Sequence, residues 1–213
     1  MEKSLVTRNV QYSYDKESTF GYPDIDCEKG QHLLINGPSG CGKTTLLHLL
    51  SGLIKPKQGT IQVNDTDITT LDNKKLDRFR GRKIGIVFQH FCFIKSLTAE
   101  ENLLLCTSLN HLPVDRGYLE SLFNDLNITH CMTRKTYNMS QGELQRLSIA
   151  RAVINKPALI LADEPTSSLD DKNCEEALKL LQLQADRLQA SLVVVTHDNR
   201  VKPEFPNAIH ITL

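Results

Sequence analysis

The chain has 213 residues, 40% of them hydrophobic, and its 25 basic and 25 acidic side chains cancel. That length suits one large domain carrying a small inserted lobe, and the charge balance argues against a strongly basic nucleic-acid binder. No apolar run is long enough to cross a bilayer, and the first residues lack the apolar core of a secretion leader. The six scattered cysteines form no CxxC pair, which points to reduced thiols of a cytosolic protein rather than zinc ligands or disulfides.

In chain order, residues 5–26 and Gly59-Thr60-Ile61-Gln62-Val63-Asn64 read as edge strands and turns of a small antiparallel lobe, spanning roughly 1–30 and 59–70. Leu33-Leu34-Ile35 is the first run that reads as a strand buried on both faces. Residues 44–53 follow as a helix, with Leu46, Leu47, Leu49, Leu50 and Leu53 on its apolar side. A second buried strand covers 84–88. Residues 91–138 read as an inserted helical lobe, with helical patterns at 98–105 and 115–126. Further buried strands at 158–162 and 192–195 flank a helix over 172–190, for which Asp170 or Asp171 is the N-cap. Continuous rather than alternating hydrophobicity is what a parallel sheet covered by helices requires. The expected fold is therefore α/β.

Gly37-Pro38-Ser39-Gly40-Cys41-Gly42-Lys43-Thr44 fits GxxxxGK[ST] and stands between a buried strand and an amphipathic helix. Glycines let successive backbone N–H groups turn onto phosphate oxygens, and the helix points its positive end at the same place. Lys43 is expected to reach the β- and γ-phosphates and the Thr44 hydroxyl to ligate Mg²⁺. The apolar run 158–162 ends in Asp163-Glu164, which brings carboxylates out at the end of a core strand. Asp163 is expected in the Mg²⁺ shell and Glu164 as the general base for an attacking water.

Met139-Ser140-Gln141-Gly142-Glu143-Leu144-Gln145-Arg146 resembles the LSGGQ signature of ABC ATPases, and it stands shortly before the Asp163 strand as in that family. Ser140 and Glu143 have the spacing of a capping box, and a hydroxyl, a glycine and a helix N-terminus make an anion site. The resemblance implies a P-loop NTPase (RecA-like) core with an antiparallel β lobe and a helical lobe, ATP and Mg²⁺ as ligands, and a dimer. In that dimer Ser140, Gln141, Gly142 and Glu143 serve the nucleotide held by the partner. It further implies an integral membrane permease subunit as partner, no nucleic acid, and a place on the cytoplasmic face of the cell membrane. The nucleotide site runs from Gly37 through Lys43 and Thr44 to Thr45.

By the same resemblance Gln89 is the Q-loop glutamine, a metal and water sensor, and His197 the switch histidine; both join Lys43 and Glu164 in catalysis. Ser167-Ser168-Leu169-Asp170 is similar to the D-loop, and Tyr14 is the adenine-stacking aromatic, with Tyr12 the competing choice. Met139 and Gln141 depart from the usual leucine and first glycine, while Ser140 and Gly142 are kept. Phe88-Gln89-His90-Phe91 and Leu97-Thr98-Ala99-Glu100-Glu101-Asn102 are similar to the lipoprotein-releasing, macrolide-exporting and cell-division ATPases, which implies lipoprotein release or efflux. The alternative within that group is a signalling module that drives a membrane protein without transport. Arg78-Phe79-Arg80-Gly81-Arg82-Lys83 reads as a solvated face. No appended regulatory domain is expected after His197.

Overall fold

The computed structural model describes residues 2–14, 19–167, 169–198 and 200–213. Strands β1 (Lys3–Ser13), β2 (Thr19–Gly21) and β3 (Ile25–Glu28) begin an antiparallel sheet. Strand β4 (His32–Asn36) opens a second sheet and leads into helix α1 (Lys43–Leu50), and β5 (Gln58–Val63) and β6 (Thr66–Asp67) return to the first. There β1 pairs with β2 near its end, with β3 near its start and with β5 along its length, giving the order β2-β1-β5-β6. Along β3 buried Ile25 and Cys27 alternate with exposed Asp26 and Glu28, the pattern of a sheet with one face on the core.

Helix α1 stops short of the sequence pattern: it ends at Leu50, and Leu53 is 42% exposed. Helix α2 (Asn73–Lys83) lies where the sequence reads as a charged run. Leu76 is its one buried residue, so apolar periodicity is too thin to reveal it; the Asp72 carboxylate capping the Lys75 N–H at 2.8 Å fixes its start. Strand β7 (Ile84–Val87) is followed by α3 (Ala99–Leu109), α4 (Arg116–Asp125) and α5 (Gln141–Val153). Strand β8 (Leu159–Asp163), helix α6 (Asp171–Leu188), β9 (Ser191–Thr196) and β10 (Ile209–Thr212) complete the described elements. Asp170, not Asp171, caps α6, accepting from the Asn173 N–H at 2.9 Å.

The second sheet is parallel throughout, in the order β10-β4-β9-β8-β7. Every position of β8 and β9 is buried, and successive residues serve opposite cores. Leu33, Ile35, Leu161, Val193 and Val195 pack with α1 and the antiparallel sheet, while Leu34, Ile160, Ala162, Leu192 and Val194 pack with α5, α6 and the 99–126 helices. A continuous apolar run is the sequence image of this two-sided burial. β10 escapes sequence reading for the opposite reason: it is a half-buried edge in which Ile209 and Ile211 alternate with His210 and Thr212.

One close approach fixes the β7–α5 contact. A Cβ on Gly85 would lie 2.1 Å from the Ala152 carbonyl oxygen, so only glycine lets the strand lie against that helix end. Gly85→Ala is expected to destabilise the protein by about 3 kcal/mol, lowering the calorimetric midpoint by roughly 10 °C. An unchanged midpoint would show that the strand moves off α5 freely.

Candidate functional site

The C-terminal ends of the parallel strands converge, where open α/β sheets hold ligands. Gly37 follows β4, Gln89 lies two residues beyond β7, Asp163 ends β8 and Glu164 follows it, and His197 follows β9. The 37–42 loop enters α1 through Gly42, whose φ of 98° is left-handed and whose carbonyl accepts from the Tyr22 hydroxyl at 3.2 Å. A Cβ there would meet that hydroxyl at 2.9 Å. Lys43 is buried, and its ammonium donates to the carbonyls of Gly37 (2.8 Å) and Pro38 (2.9 Å), which holds the charge inside the loop. Ser39 and Gly40 form the exposed rim, and Cys41 is half-buried between them and α1.

The Thr44 hydroxyl donates to the Asp163 carboxylate at 3.2 Å. Burial pushes the Asp163 carboxyl above its ordinary range; the Thr44 bond opposes that shift and the neighbouring Glu164 charge adds to it. A hydroxyl and a buried carboxylate meeting beside a phosphate-type loop are the hard oxygen donors that Mg²⁺ takes, so the residues present fit that ion.

Glu164 turns out of β8 with φ 47°, left-handed for a non-glycine residue, and its N–H donates to the Val195 carbonyl at 2.9 Å. Its carboxylate accepts from the Thr196 hydroxyl (2.9 Å), the His197 N–H (3.1 Å) and His197 Nδ1 (2.6 Å). The acid and the histidine are thus in direct contact, and Thr196 completes the grip. Thr196 carries no motif signal of its own; its place between a buried strand and His197 is the one sequence cue to it.

One cleft of about 270 Å³ gathers Tyr14, Lys43, Thr44, Gln89, Glu164 and His197. Tyr14 is 64% exposed, and its hydroxyl lies 2.6 Å from that of Thr45. Phe20, another residue missed by sequence reading, stands edge-on to Tyr14 at 6.3 Å on the same rim. Tyr12 instead packs partly against the core under the antiparallel sheet.

Ser140, Gln141, Gly142 and Glu143 stand outside this cleft, at the start of α5. Ser140 is the N-cap: its hydroxyl accepts from the Glu143 N–H at 3.3 Å, and its own N–H donates to Glu143 Oε2 at 2.6 Å, closing the capping box. Glu143 Oε1 accepts from His130, Cys131 and Arg134. Burial alone would raise this carboxyl, but the Ser140 N–H and the His130 and Cys131 bonds outweigh it and bring it down to about 2. Among the 167–170 residues, Ser167 is exposed, Leu169 packs on the core and Asp170 caps α6, while Ser168 lies outside the described residues. Arg200 bonds Asp198, one residue past His197, and also Asp171 on α6 at 2.6 Å.

A separate groove of about 220 Å³ is lined by Phe91, Phe93 and Lys95, which follow Gln89 in the chain, and by Tyr137, Met139 and Leu144 around the α5 start. Phe91 and Phe93 stack, and the Arg151 guanidinium lies 4.6 Å from the Phe93 ring. Tyr137 and neighbouring Ile94 are 64% and 46% exposed, so the groove presents apolar surface.

The family model described as "ABC transporter" matches residues 22–167. An uncharacterized ABC transporter ATP-binding protein of Bacillus subtilis (YvcR) is 39% identical over 200 residues, covering 93% of this chain and 76% of its own. The lipoprotein-releasing system ATP-binding protein LolD of Saccharophagus degradans is 37% identical over 177 residues, covering 82% and 78%. The post-hydrolysis dimer of the ATP-binding cassette MJ0796, bound to ADP and Pi, superposes with a TM-score of 0.81 at 32% identity, covering 92% of this chain and 89% of that one. Several mycobacterial relatives are longer, and the chain spans about half of them, 54% in one case.

Proposed function

The chain belongs to the ABC transporter family of ATP-binding proteins, and from that premise we propose that it hydrolyses ATP within a dimer to drive a separate membrane subunit. The observation that carries this reading is the meeting, at one end of the sheet, of the lysine loop, the Thr44–Asp163 pair and the Glu164–His197 contact. The 37–42 amides and Lys43 bind the β- and γ-phosphates, and Tyr14 stacks on the adenine. Thr44 and Asp163, with Gln89 beside them, hold Mg²⁺, which supplies charge neutralisation of the phosphates when bound. Glu164 accepts the proton of the attacking water, and His197 positions that carboxylate and contacts the γ-phosphate.

Two copies face each other head to tail, so that Ser140 and Gly142 of one reach the γ-phosphate held by the other. Both lie outside the cleft, Ser140 exposed and Gly142 half-buried, which supports this arrangement, as does the dimeric state named for MJ0796. The apolar groove at Phe91 and Phe93 receives the membrane subunit, which places the chain peripherally at the membrane. The described residues contain no helix long and apolar enough to cross a membrane. Resemblance to LolD favours lipoprotein release or efflux as the driven process. Purified protein is expected to hydrolyse ATP, faster when reconstituted with its membrane subunit; absence of Mg²⁺-dependent turnover under both conditions would overturn the reading.

Tyr14→Ala is expected to weaken ATP binding by about 1 kcal/mol, roughly fivefold, in a titration with a fluorescent nucleotide. Tyr12→Ala is expected to lower the melting temperature instead. The reverse pattern would move the stacking role to Tyr12.

A further inference from the structure

Away from the cleft, three side chains of metal-binding type meet at one carboxylate oxygen. His130 and Cys131 come from the single turn Thr129–Cys131 between α4 and α5, and Glu143 comes from the first turn of α5. His130 Nε2 lies 2.9 Å from Glu143 Oε1 and Cys131 Sγ lies 3.2 Å from the same oxygen. The three donor atoms all fall within 4.8 Å of one another.

We propose that His130, Cys131 and Glu143 form a binding site for a borderline-soft divalent cation of the zinc class, with solvent completing the shell. An imidazole nitrogen, a thiolate sulfur and a carboxylate oxygen are the donors zinc takes, whereas a hard cation such as Mg²⁺ has no use for the sulfur. Glu143 divides its two oxygens between tasks. Oε2 accepts from the Ser140 N–H, so a cation on Oε1 leaves the capping box closed. Cys131 is buried, while the His130 side chain is 61% exposed, giving the ion an entry on the imidazole side. On binding, the Cys131 thiol proton passes to solvent and the sulfur–carboxylate hydrogen bond is replaced by two metal bonds.

The guanidinium of Arg134 is the competing cation. Its Nη1 lies 3.0 Å from Glu143 Oε1 and 3.5 Å from Cys131 Sγ. Its side chain is 39% exposed and also bonds the Asn138 carbonyl, so it has a path into solvent when a divalent ion takes the oxygen. The site therefore exchanges one cation for another, and it does so at the residue that closes the cap of α5. All six cysteines are free, as reduced thiols are; the proposal gives one of them, Cys131, a ligand role that the sequence reading does not assign.

Calorimetric titration of the purified full chain with Zn²⁺, without nucleotide, tests the site independently of the ATPase reading. One equivalent is expected to bind, and Co²⁺ in its place is expected to show thiolate-to-cobalt charge-transfer absorption. Cys131→Ser and His130→Ala should each weaken binding at least about tenfold, Cys174→Ser should leave it unchanged, and Arg134→Gln should tighten it. His130 is exposed, so its variant preserves the test should Cys131→Ser fail to fold. The proposal is overturned by absence of binding, by a cobalt spectrum without the thiolate band, by binding that survives His130→Ala, or by weaker binding in Arg134→Gln.

Discussion

Glu164→Gln is expected to keep ATP binding and to lower turnover by about 10²–10⁴-fold, the usual contribution of a general base, or roughly 3–5 kcal/mol of barrier. The amide fits the space of the acid. One end still accepts from the His197 N–H, and the other donates to the Thr196 hydroxyl oxygen, which already accepts from the Asp198 N–H at 2.9 Å. Local structure and the phosphate loop therefore persist while the basic oxygen is lost. Because nucleotide is bound and not consumed, the ATP-bound dimer should accumulate in sedimentation velocity. Turnover within a few-fold of the parent would put the base elsewhere.

Ser140→Arg is expected to abolish ATP-dependent dimerisation and to reduce hydrolysis by about 10²-fold or more, the scale seen when a positioned donor to a developing anion is removed, while each monomer still binds nucleotide. The same substitution also removes an N-cap, a loss of about 1 kcal/mol in stability, so a second variant separates the two effects. Ser140→Asp keeps a strong capping oxygen for the Glu143 N–H, yet turns a carboxylate toward the partner's phosphate. Its melting temperature should match the parent and its dimerisation should fail. Dimers that form normally in Ser140→Asp would remove Ser140 from the partner's site.

The parts of this fold that sequence makes legible are those with one physical requirement each. Two-sided burial makes β4, β7, β8 and β9 unbroken apolar runs, and phosphate binding imposes glycines and Lys43 at fixed spacing. Helix α2 answers to weaker demands: with Leu76 alone buried, it leaves little periodicity to read. β10 is a half-buried edge and looks like loop. At the site, Lys43, Thr44, Asp163, Glu164 and His197 carry motif signals. Thr196 and Phe20 do not, because their roles depend on which strand ends lie side by side. The His130-Cys131-Glu143 meeting is equally silent in sequence: the turn and the helix start are brought together by the way the chain folds back between α4 and α5.

Arg200 has a mechanical consequence. Its guanidinium holds Asp198, whose carboxyl that contact brings down to about 2, and with the other nitrogen it holds Asp171 at the head of α6. Thr166 anchors Asp198 as well, at 3.0 Å. The turn bearing His197 and the turn leading into α6 are therefore riveted into one plate. In the dimer proposed above, a push from the partner on Thr166 or Asp171 would pass through these bonds to the histidine turn, so that a clasp on one nucleotide would be felt at the other.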